Sequence, residues 1–398
     1  MNPFKVFGCR LFQKVMYVAS AFLSFREPEI LDGVPEMAKK IHDLGLKKPL
    51  LVTDEGIYSL RLYTSTVEAL REEGIECALY HGVVANPTFG CVEEGKKVYD
   101  GEGCDCLIAL GGGSSMDAAK ALAIKIAYPS RGLERFKGLL HVHRKLVPLF
   151  AIPTTAGTGS EATVAAVVVN EATKDKFQID DPKLIPPYAV FDPYLLRDLP
   201  QKIKLTTGMD ALTHAVEAYI GKSNTKKTKA RAIEAMRLIR DHLVPFYETG
   251  DIEHAKEMQR AAYYAGVAFT RAYVGYVHAL AHSLGGEYGV PHGLANAILL
   301  PVVLESYGRS AEKKLASIYD ELELGDPSLS REAKAKAFIS FVRSLNERMG
   351  IPSRFEDIVR KEDVSRLCLH AAKEGNPLYP VPKEMDANEL REVLSKAL

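Results

Sequence analysis

The stretch CDCLIALGGGSSMDAAKALAIKIA, residues 104–127, decides the fold. It begins with small apolar residues in a pattern typical of a buried strand, and it ends with apolar residues at helical spacing. Three glycines and two serines separate the two patterns. A strand, a glycine-rich turn and a helix form one repeating unit of a parallel sheet covered by helices, so this stretch predicts an α/β fold.

The same alternation extends to both sides of this stretch. Helical patterns such as TVEALREEG and CVEEGKKVYDGEG separate four short apolar runs, which we interpret as buried strands at 48–54, 77–84, 104–113 and 145–155. We therefore predict an α/β dinucleotide-binding domain over residues 25–193, with a parallel, Rossmann-like sheet.

Beyond Pro193 the apolar pattern changes to helical spacing and strands become hard to find. Helices are predicted within 208–221, 229–243, 257–269, 277–286, 334–350 and 388–398. Glycines at 221, 285 and 350 fall where helix ends are expected. We predict an all-α domain over residues 194–398.

Residues 1–24 form a separate region in this scheme, an N-terminal extension. Its apolar run VMYVASAFLSF follows Lys5, Arg10 and Lys14, a pattern shared with secretory signals. Small and polar residues interrupt the run, and it is too short to span a bilayer. We favour an amphipathic helix that packs on the body of the protein or on a partner.

Composition excludes several classes of function. Lys plus Arg and Asp plus Glu are equal at 51 each, which gives no electrostatic reason to expect a nucleic acid or membrane partner. Six scattered cysteines argue against a disulfide framework and for a reducing cytoplasm. Cys104 and Cys106 enter a predicted strand, so we interpret them as buried thiols and not as a metal-binding pair.

Two loops rich in glycine and hydroxyl groups suit a phosphate group. Gly112, Gly113 and Ser114 lie between a strand and a helix, where backbone N–H groups and the helix dipole attract anions. A tight turn without a ligand is the alternative for that loop. The stretch IPTTAGTGSE, 152–161, follows the next strand, and two such loops at the carboxyl ends of parallel strands favour nucleotide binding.

Asp54 ends the first clear strand. A carboxylate at this position accepts hydrogen bonds from the adenosine ribose and repels a 2′-phosphate, which favours NAD over NADP. The alternative role is to cap the helix that follows, and one side chain could serve both purposes.

Histidine and aspartate recur at a spacing of four in the helical half. Asp210 and His214 form one such pair, His278 and His282 form another, and His292 follows a Gly–Pro turn. Residues four apart share a helical face, so each pair is a candidate for metal binding, although single pairs are more often ordinary polar contacts. A carboxylate with several imidazoles suits Fe²⁺, Zn²⁺, Ni²⁺ or Co²⁺.

Taken in order and spacing, the motifs resemble those of the iron-containing (group III) alcohol dehydrogenase family. The resemblance spans roughly residues 25–398 and is carried by GGGSSMDAAK, IPTTAGTGSE, TGMDALTHAVEAY and GYVHALAHSLGGEYGVPHGLANAILLP. It implies a dehydroquinate synthase-like fold with the active site between the two domains. It also implies a homodimer or larger homo-oligomer.

The resemblance assigns roles residue by residue. Its metal ligands are Asp210, His214, His278 and His292, with Fe²⁺ favoured over Zn²⁺. Its NAD-binding residues are Asp54, Asn86, Gly112, Gly113, Ser114, Thr154, Thr155, Thr158 and Lys176. His282 is not a ligand in the family, so its position makes it a candidate for hydrogen bonding or proton relay.

The implied activity is reversible hydride transfer between a primary alcohol or diol and NAD, which gives an aldehyde or ketone. A lyase resembling dehydroquinate synthase is the first alternative, because it uses the same cofactor and a metal for elimination and cyclisation. A nucleotide-binding assembly subunit without catalysis is the second. The length of the histidine-containing motif and the intact ligand positions favour the dehydrogenase.

Overall fold

The chain folds into two compact units in a computed structural model that describes residues 1–173, 175–197, 199–356 and 358–398. One unit comprises Ser24–Leu199, and the other comprises Met1–Leu23 together with Pro200–Leu398. From the sequence we expected domain boundaries between residues 24 and 25 and between residues 193 and 194, and these boundaries stay predictions.

A parallel sheet forms the centre of the Ser24–Leu199 unit. The strands described in this unit are β1 (Glu29–Asp32), β2 (Pro49–Asp54), β3 (Ala78–Val83), β4 (Cys106–Gly111), β5 (Gly138–Leu139), β6 (Leu149–Pro153), β7 (Ala165–Asn170), β8 (Asp175–Asp180) and β9 (Tyr188–Phe191). Six of them pair in the order β1-β9-β6-β4-β2-β3, and all five pairings are parallel. A smaller sheet has the order β5-β8-β7.

Helices connect these strands. They are α2 (Val34–Asp43), α3 (Glu55–Ser59), α4 (Thr64–Glu72), α5 (Phe89–Gly101), α6 (Gly113–Ala127) and α7 (Tyr194–Arg197). Helix α2 packs against α4, and α5 packs against α6. The apolar face of α6 is buried because it contacts both β4 and β7. This packing fixes the start of α6 at the end of β4.

Helices make up the second unit as far as the structure describes it. They are α1 (Pro3–Ser20), α8 (Gln201–Ile220), α9 (Lys226–Thr249), α10 (Ile252–Ala272), α11 (Tyr276–Tyr288), α12 (His292–Tyr307), α13 (Arg309–Glu321), α14 (Arg331–Arg348), α15 (Val364–Gly375) and α16 (Ala387–Ser395). Helices α8, α9 and α10 pack on one another, and α12 contacts both α8 and α11. Helix α8 is buried along most of its length, so it can hold polar groups away from water.

The α/β fold class is confirmed, and each of the four predicted strands corresponds to a strand of the large sheet. Strands β1 and β9 and the smaller sheet were not predicted. Strand β1 is mostly exposed and lies at one edge of the large sheet, so it lacks the apolar run by which a buried strand is recognised.

Two local predictions can now be judged. The expectation that Gly285 ends a helix is wrong: α11 continues to Tyr288 and ends at Gly289, whose φ of 64° is the left-handed conformation that favours glycine. The interpretation of Cys104 and Cys106 as buried thiols is confirmed.

Within the described ranges, no helix combines the length and hydrophobicity needed to cross a bilayer.

Candidate metal and cofactor sites

Helix α8 presents two of the predicted metal ligands on one face. Asp210 and His214 are one turn apart and both are buried. The His214 ring stacks against Phe269 with 4.1 Å between ring centroids, and against His278 at 4.4 Å. This stacking fixes the imidazole plane before any ion binds.

Helices α11 and α12 supply the other two predicted ligands. His278 lies in the first turn of α11, and His292 is the first residue of α12. The turn at Gly289 ends α11, and Pro291 directly precedes α12. The two helices are thereby joined by a short reversal that returns His292 to the level of His278, with 5.4 Å between the ring centroids.

Close packing of α8 on α12 keeps these ligands together. A Cβ atom at Gly293 would lie 2.1 Å from the backbone oxygen of Thr206 on α8. Real Cβ contacts are not this short, so only glycine permits the two helices to approach at this point. Position 293, next to His292, therefore requires glycine because the backbone of α8 lies so close to it.

Four donor groups converge in this region. The Oδ1 atom of Asp210 lies 3.7 Å from Nε2 of His278 and 3.4 Å from Nε2 of His292. It lies 4.0 Å from Nδ1 of His214. A tetrahedral ion with bonds of roughly 2.0–2.2 Å would hold its ligand atoms about 3.3–3.6 Å apart. The ligand atoms of Asp210, His214 and His278 all lie within 4.8 Å of one another, so these three residues could share a divalent first-row ion, and His292 approaches the same carboxylate.

The charges of this cluster also fit a cation. Burial opposes ionisation of Asp210, but His214, His292 and His278 hold the pKa of this carboxyl well below its usual range. Burial lowers the pKa of His278, yet the carboxylates of Asp210 and Glu217 raise it to about 9. Two buried carboxylates therefore create a negative environment around the imidazoles, and a bound divalent ion would compensate that charge.

Glu217 is a supporting residue that the sequence analysis missed. Its Oε2 atom lies 2.6 Å from Nδ1 of His278, and its carboxylate also accepts hydrogen bonds from the N–H groups of Gly275 and Val277. Because Nδ1 faces Glu217, Nε2 of His278 points toward Asp210. The spacing 210, 214, 217 follows one helical face and could have identified this residue.

Asn296 is a second residue that the sequence analysis did not identify. Its side-chain nitrogen donates to Oδ1 of Asp210 at 2.7 Å and lies 3.1 Å from Nε2 of His292 and 3.3 Å from Nε2 of His278. An amide nitrogen has only two hydrogens, so it cannot satisfy three partners at once. The carboxylate oxygen of Asp210 and the ring nitrogens of His278 and His292 around this amide can therefore still act as ligands to an ion.

The predicted proton-relay residue His282 lies beside this cluster. Its ring stacks on His292 with 5.1 Å between centroids and an interplanar angle of 15°. Its Nδ1 atom lies 2.7 Å from Oε1 of Glu374, and the side chain is about half exposed. His282 therefore lies beside His292 and is partly open to solvent, and its role as a proton relay stays a prediction.

The predicted cofactor residues gather at the carboxyl ends of neighbouring strands. Asp54 ends β2, the glycine-rich loop follows β4, and Thr154 follows β6. These three strands are adjacent in the sheet, which brings the loops together. In open parallel sheets this edge is where ligands bind.

The two glycine- and hydroxyl-rich loops face each other closely. A Cβ atom at Gly112 would lie 3.7 Å from the Thr155 side chain, and one at Gly113 would lie 3.2 Å from that of Thr158. Helix α6 begins at Gly113, and Ser114 lies in its first turn. Free N–H groups at a helix start, next to threonine hydroxyls, suit the pyrophosphate of a dinucleotide.

Asp54 and the Asn86–Lys176 pair complete the predicted cofactor set. Asp54 accepts a hydrogen bond from the N–H of Ile57 at 3.0 Å and thereby caps α3. Its second oxygen lies 3.5 Å from Oγ of Ser115. Lys176 donates to Oδ1 of Asn86 at 2.7 Å, which ties β8 to the loop after β3. The structure thus brings Asn86 and Lys176 together, although they are far apart in sequence.

Lys120 is a third residue that the sequence analysis passed over. It is fully buried on α6, and its amine donates to Oγ of Ser160, to Oγ1 and the backbone oxygen of Thr163, and to the backbone oxygen of Ala165. Asp117, one turn earlier, accepts from Ser160 Oγ at 3.2 Å. Lys120 and Asp117 both contact Ser160 and thereby hold the end of the loop that contains Thr154–Thr158.

Two family models of known proteins match this chain. A family model described as "Iron-containing alcohol dehydrogenase" matches residues 31–193, and one described as "Fe-containing alcohol dehydrogenase family, C-terminal" matches residues 204–398. The two models together match most of both compact units, and residues 1–30, which include α1, lie outside them.

Individual relatives match over nearly the whole chain. An NAD-dependent methanol dehydrogenase of Bacillus methanolicus is 36% identical over 367 residues, which cover 92% of this chain and 96% of that protein. A 1,3-propanediol dehydrogenase of Citrobacter freundii is 37% identical, with coverage of 94% and 97%. A solved structure of a 1,3-propanediol oxidoreductase superposes with a TM-score of 0.90 at 36% identity, and the match covers 95% of this chain and 100% of that one.

Proposed function

Since this chain belongs to the iron-containing alcohol dehydrogenase family, we propose that its substrates are short primary alcohols or diols, which it oxidises reversibly to the aldehyde or ketone with NAD. The observation that carries the proposal is the convergence of one buried carboxylate and three imidazoles. The names of the methanol and 1,3-propanediol dehydrogenases among its relatives support the choice of small, unbranched substrates.

We propose that Asp210, His214, His278 and His292 hold the metal, with Fe²⁺ favoured over Zn²⁺. When bound, such an ion supplies Lewis-acid polarisation of the substrate's hydroxyl or carbonyl oxygen. Glu217 keeps Nδ1 of His278 engaged, so Nε2 stays directed at the metal site. Asn296 links the carboxylate on α8 to His292 on α12 and holds the ligand set together.

Alcohol oxidation releases a proton that has to reach solvent. We assign its transfer to Nε2 of His282, because Nδ1 is held by Glu374 and the ring stacks on the metal-site residue His292. Half of this side chain is exposed, so it can exchange its proton with water. In the reductive direction His282 returns a proton to the product oxygen by the same route.

The cofactor role falls to the carboxyl edge of the parallel sheet. N–H groups at the start of α6, with the hydroxyls of Thr154, Thr155 and Thr158, face the pyrophosphate in this proposal. Asp54 accepts hydrogen bonds from the adenosine ribose, and Asn86 with Lys176 borders the site from β8. Hydride transfer between the carbinol carbon and the nicotinamide is the chemistry that the bound cofactor supplies.

Asp54 provides a test of cofactor preference. Replacing Asp54 with glycine removes the charge that would repel a 2′-phosphate, so we expect the ratio of kcat/KM for NAD to that for NADP to fall at least about tenfold. Asp54→Asn serves as the companion variant, because asparagine retains the helix cap and loses only the charge. A preference for NAD that persists unchanged in both variants would refute the assignment.

The reaction class can be measured directly. With protein reconstituted separately with Fe²⁺ and Zn²⁺, we expect NADH to accumulate when methanol, ethanol, 1,2-propanediol or 1,3-propanediol is added with NAD⁺. A lyase resembling dehydroquinate synthase returns its cofactor to the starting state and accumulates no NADH. Metal-dependent turnover would also exclude a non-catalytic assembly subunit, whereas the absence of NADH with every substrate and both metals would overturn the proposal.

We also propose that the enzyme works in the cytoplasm as a homodimer or larger homo-oligomer. The free cysteines support a reducing compartment, because all six are buried or half-buried thiols without a disulfide in the described parts of the chain. The oligomeric state rests on the resemblance to the family.

A further inference from the structure

Helix α1 carries a continuous apolar stripe on its outer side. The α1 stripe consists of Phe4, Phe7, Leu11, Val15, Val18 and Phe22, whose exposed fractions are 86%, 68%, 53%, 58%, 53% and 86%. The first five are spaced by three or four residues along one face of α1, over about 21 Å, and Phe22 follows two residues after the end of the helix. Five of the chain's 15 phenylalanines occur in its first 25 residues. Contiguous exposed patches of this kind mark interaction sites.

The opposite side of α1 is fixed to the protein. Gln13 donates to the backbone oxygens of Pro377 and Tyr379, and Arg10 donates to those of Val381 and Pro382. Arg10 also forms an ion pair with Glu384. Because polar contacts hold the inner face, the stripe is presented outward as a rigid ridge and is not needed to attach α1.

The charge of this region is one-sided. Residues 1–26 contain Lys5, Arg10, Lys14 and Arg26 and no aspartate or glutamate. Lys14 is exposed and lies one turn from both Leu11 and Val18, so it borders the stripe. Glu384, the carboxylate that α1 contacts, is buried and paired with Arg10. The exposed charges that α1 itself carries beside the stripe are therefore positive, and Asp386 and Glu389 near its start are paired with the amino group of Met1.

We propose that the α1 stripe binds side-on to an anionic lipid surface, with its phenylalanines in the outer layer of the bilayer and Lys5 and Lys14 at the phosphate groups. Amphipathic helices with Lys or Arg beside an apolar face rich in Phe and Leu bind in this manner. A second copy of the chain is a poorer occupant. Two stripes packed together would bring the lysines of both copies close without a carboxylate on either α1 helix to pair with them.

The charge balance of the whole chain led to the expectation of no membrane partner, but that balance averages over this local asymmetry. A peripheral contact at the inner leaflet is compatible with a cytoplasmic enzyme, because that leaflet is the anionic one. The proposal concerns a surface made of α1 alone, so it does not depend on which alcohol is the substrate.

Vesicle co-sedimentation of the full-length, metal-loaded protein tests this proposal. We expect binding to vesicles of phosphatidylcholine with one-third phosphatidylglycerol, and binding roughly 30-fold weaker to phosphatidylcholine alone, because two lysines lose their attraction. The combined variant Phe4→Gln, Phe7→Gln, Leu11→Gln keeps good helix formers and should lose vesicle binding by at least about tenfold. Its alcohol dehydrogenase activity should be unchanged.

A matched control carries Leu329→Gln, Ile358→Gln and Leu369→Gln, which remove three exposed apolar side chains elsewhere in the same unit. This control should bind vesicles like the unmodified protein. The proposal is overturned if the unmodified protein stays in the supernatant with every vesicle, or if the α1 variant binds equally well. It is also overturned if light scattering shows that the α1 variant forms a smaller oligomer and neither protein binds vesicles, since a second copy then occupies the stripe.

Discussion

Replacing Asp210 with asparagine is expected to lower metal affinity by more than about 100-fold and turnover by at least about 10³-fold. Asp210 is the carboxylate around which the three imidazoles converge, at 3.4–4.0 Å from their nearest nitrogens. Asparagine keeps the shape and one oxygen but removes the negative charge. Lewis-acid polarisation contributes several kcal/mol to such reactions, so losing the ion costs several powers of ten in rate.

Metal content and turnover should be measured on the same preparation, together with the thermal unfolding midpoint. The new amide oxygen can still accept the hydrogen bond from Asn296, so we expect the fold to persist. Asp386→Asn is the matched control, because it makes the same change at the cap of α16, where asparagine caps equally well. Full metal occupancy with normal turnover in the Asp210 variant would remove Asp210 from the ligand set.

Much of this site followed from local sequence. Motif order identified the family, and family membership, NAD-dependent alcohol oxidation and the α/β-plus-helical fold are all confirmed. The i, i+4 spacing on α8 placed Asp210 and His214 on one face because that geometry depends only on helix periodicity. The glycine-rich loop could also be predicted from local sequence, because the strand, the turn and the helix follow one another directly in the chain.

Several supporting residues that meet the site only in three dimensions were not predicted. Glu374 is 92 residues from His282, and no local pattern connects them. Asn296 lies in an apolar helix where a single amide has no periodicity to reveal its role. The outward stripe of α1 was interpreted only as amphipathic, because sequence alone does not show which of its faces packs on the protein.

Lys120 shows the same limit at the cofactor edge of the sheet. It lies in an apolar stretch of α6, where a lysine would ordinarily be expected to extend to solvent. Instead its amine has four acceptor contacts, and burial lowers its pKa to about 8 despite the nearby carboxylate of Asp117. Asp117 in turn accepts from the N–H of Val167 at the start of β7. Lys120 and Asp117 thus connect α6, β7 and the loop ending in the short 3-10 helix Ser160–Ala162 through their separate hydrogen bonds.

Replacing Lys120 with methionine is therefore expected to destabilise the Ser24–Leu199 unit by about 2–3 kcal/mol, because it leaves the oxygens of Ser160, Thr163 and Ala165 without their charged hydrogen-bond donor. Urea unfolding measures this change, and the KM for NAD should rise because the loop of Thr154–Thr158 loses its anchor. The double variant Asp117→Asn, Lys120→Met should be more stable than the sum of the single changes predicts, since both charges are gone. Lys48→Met, which breaks only the exposed pair with Glu102, should leave unfolding unchanged. A Lys120 variant as stable as that control would show that the hydrogen bonds of Lys120 do not anchor the loop.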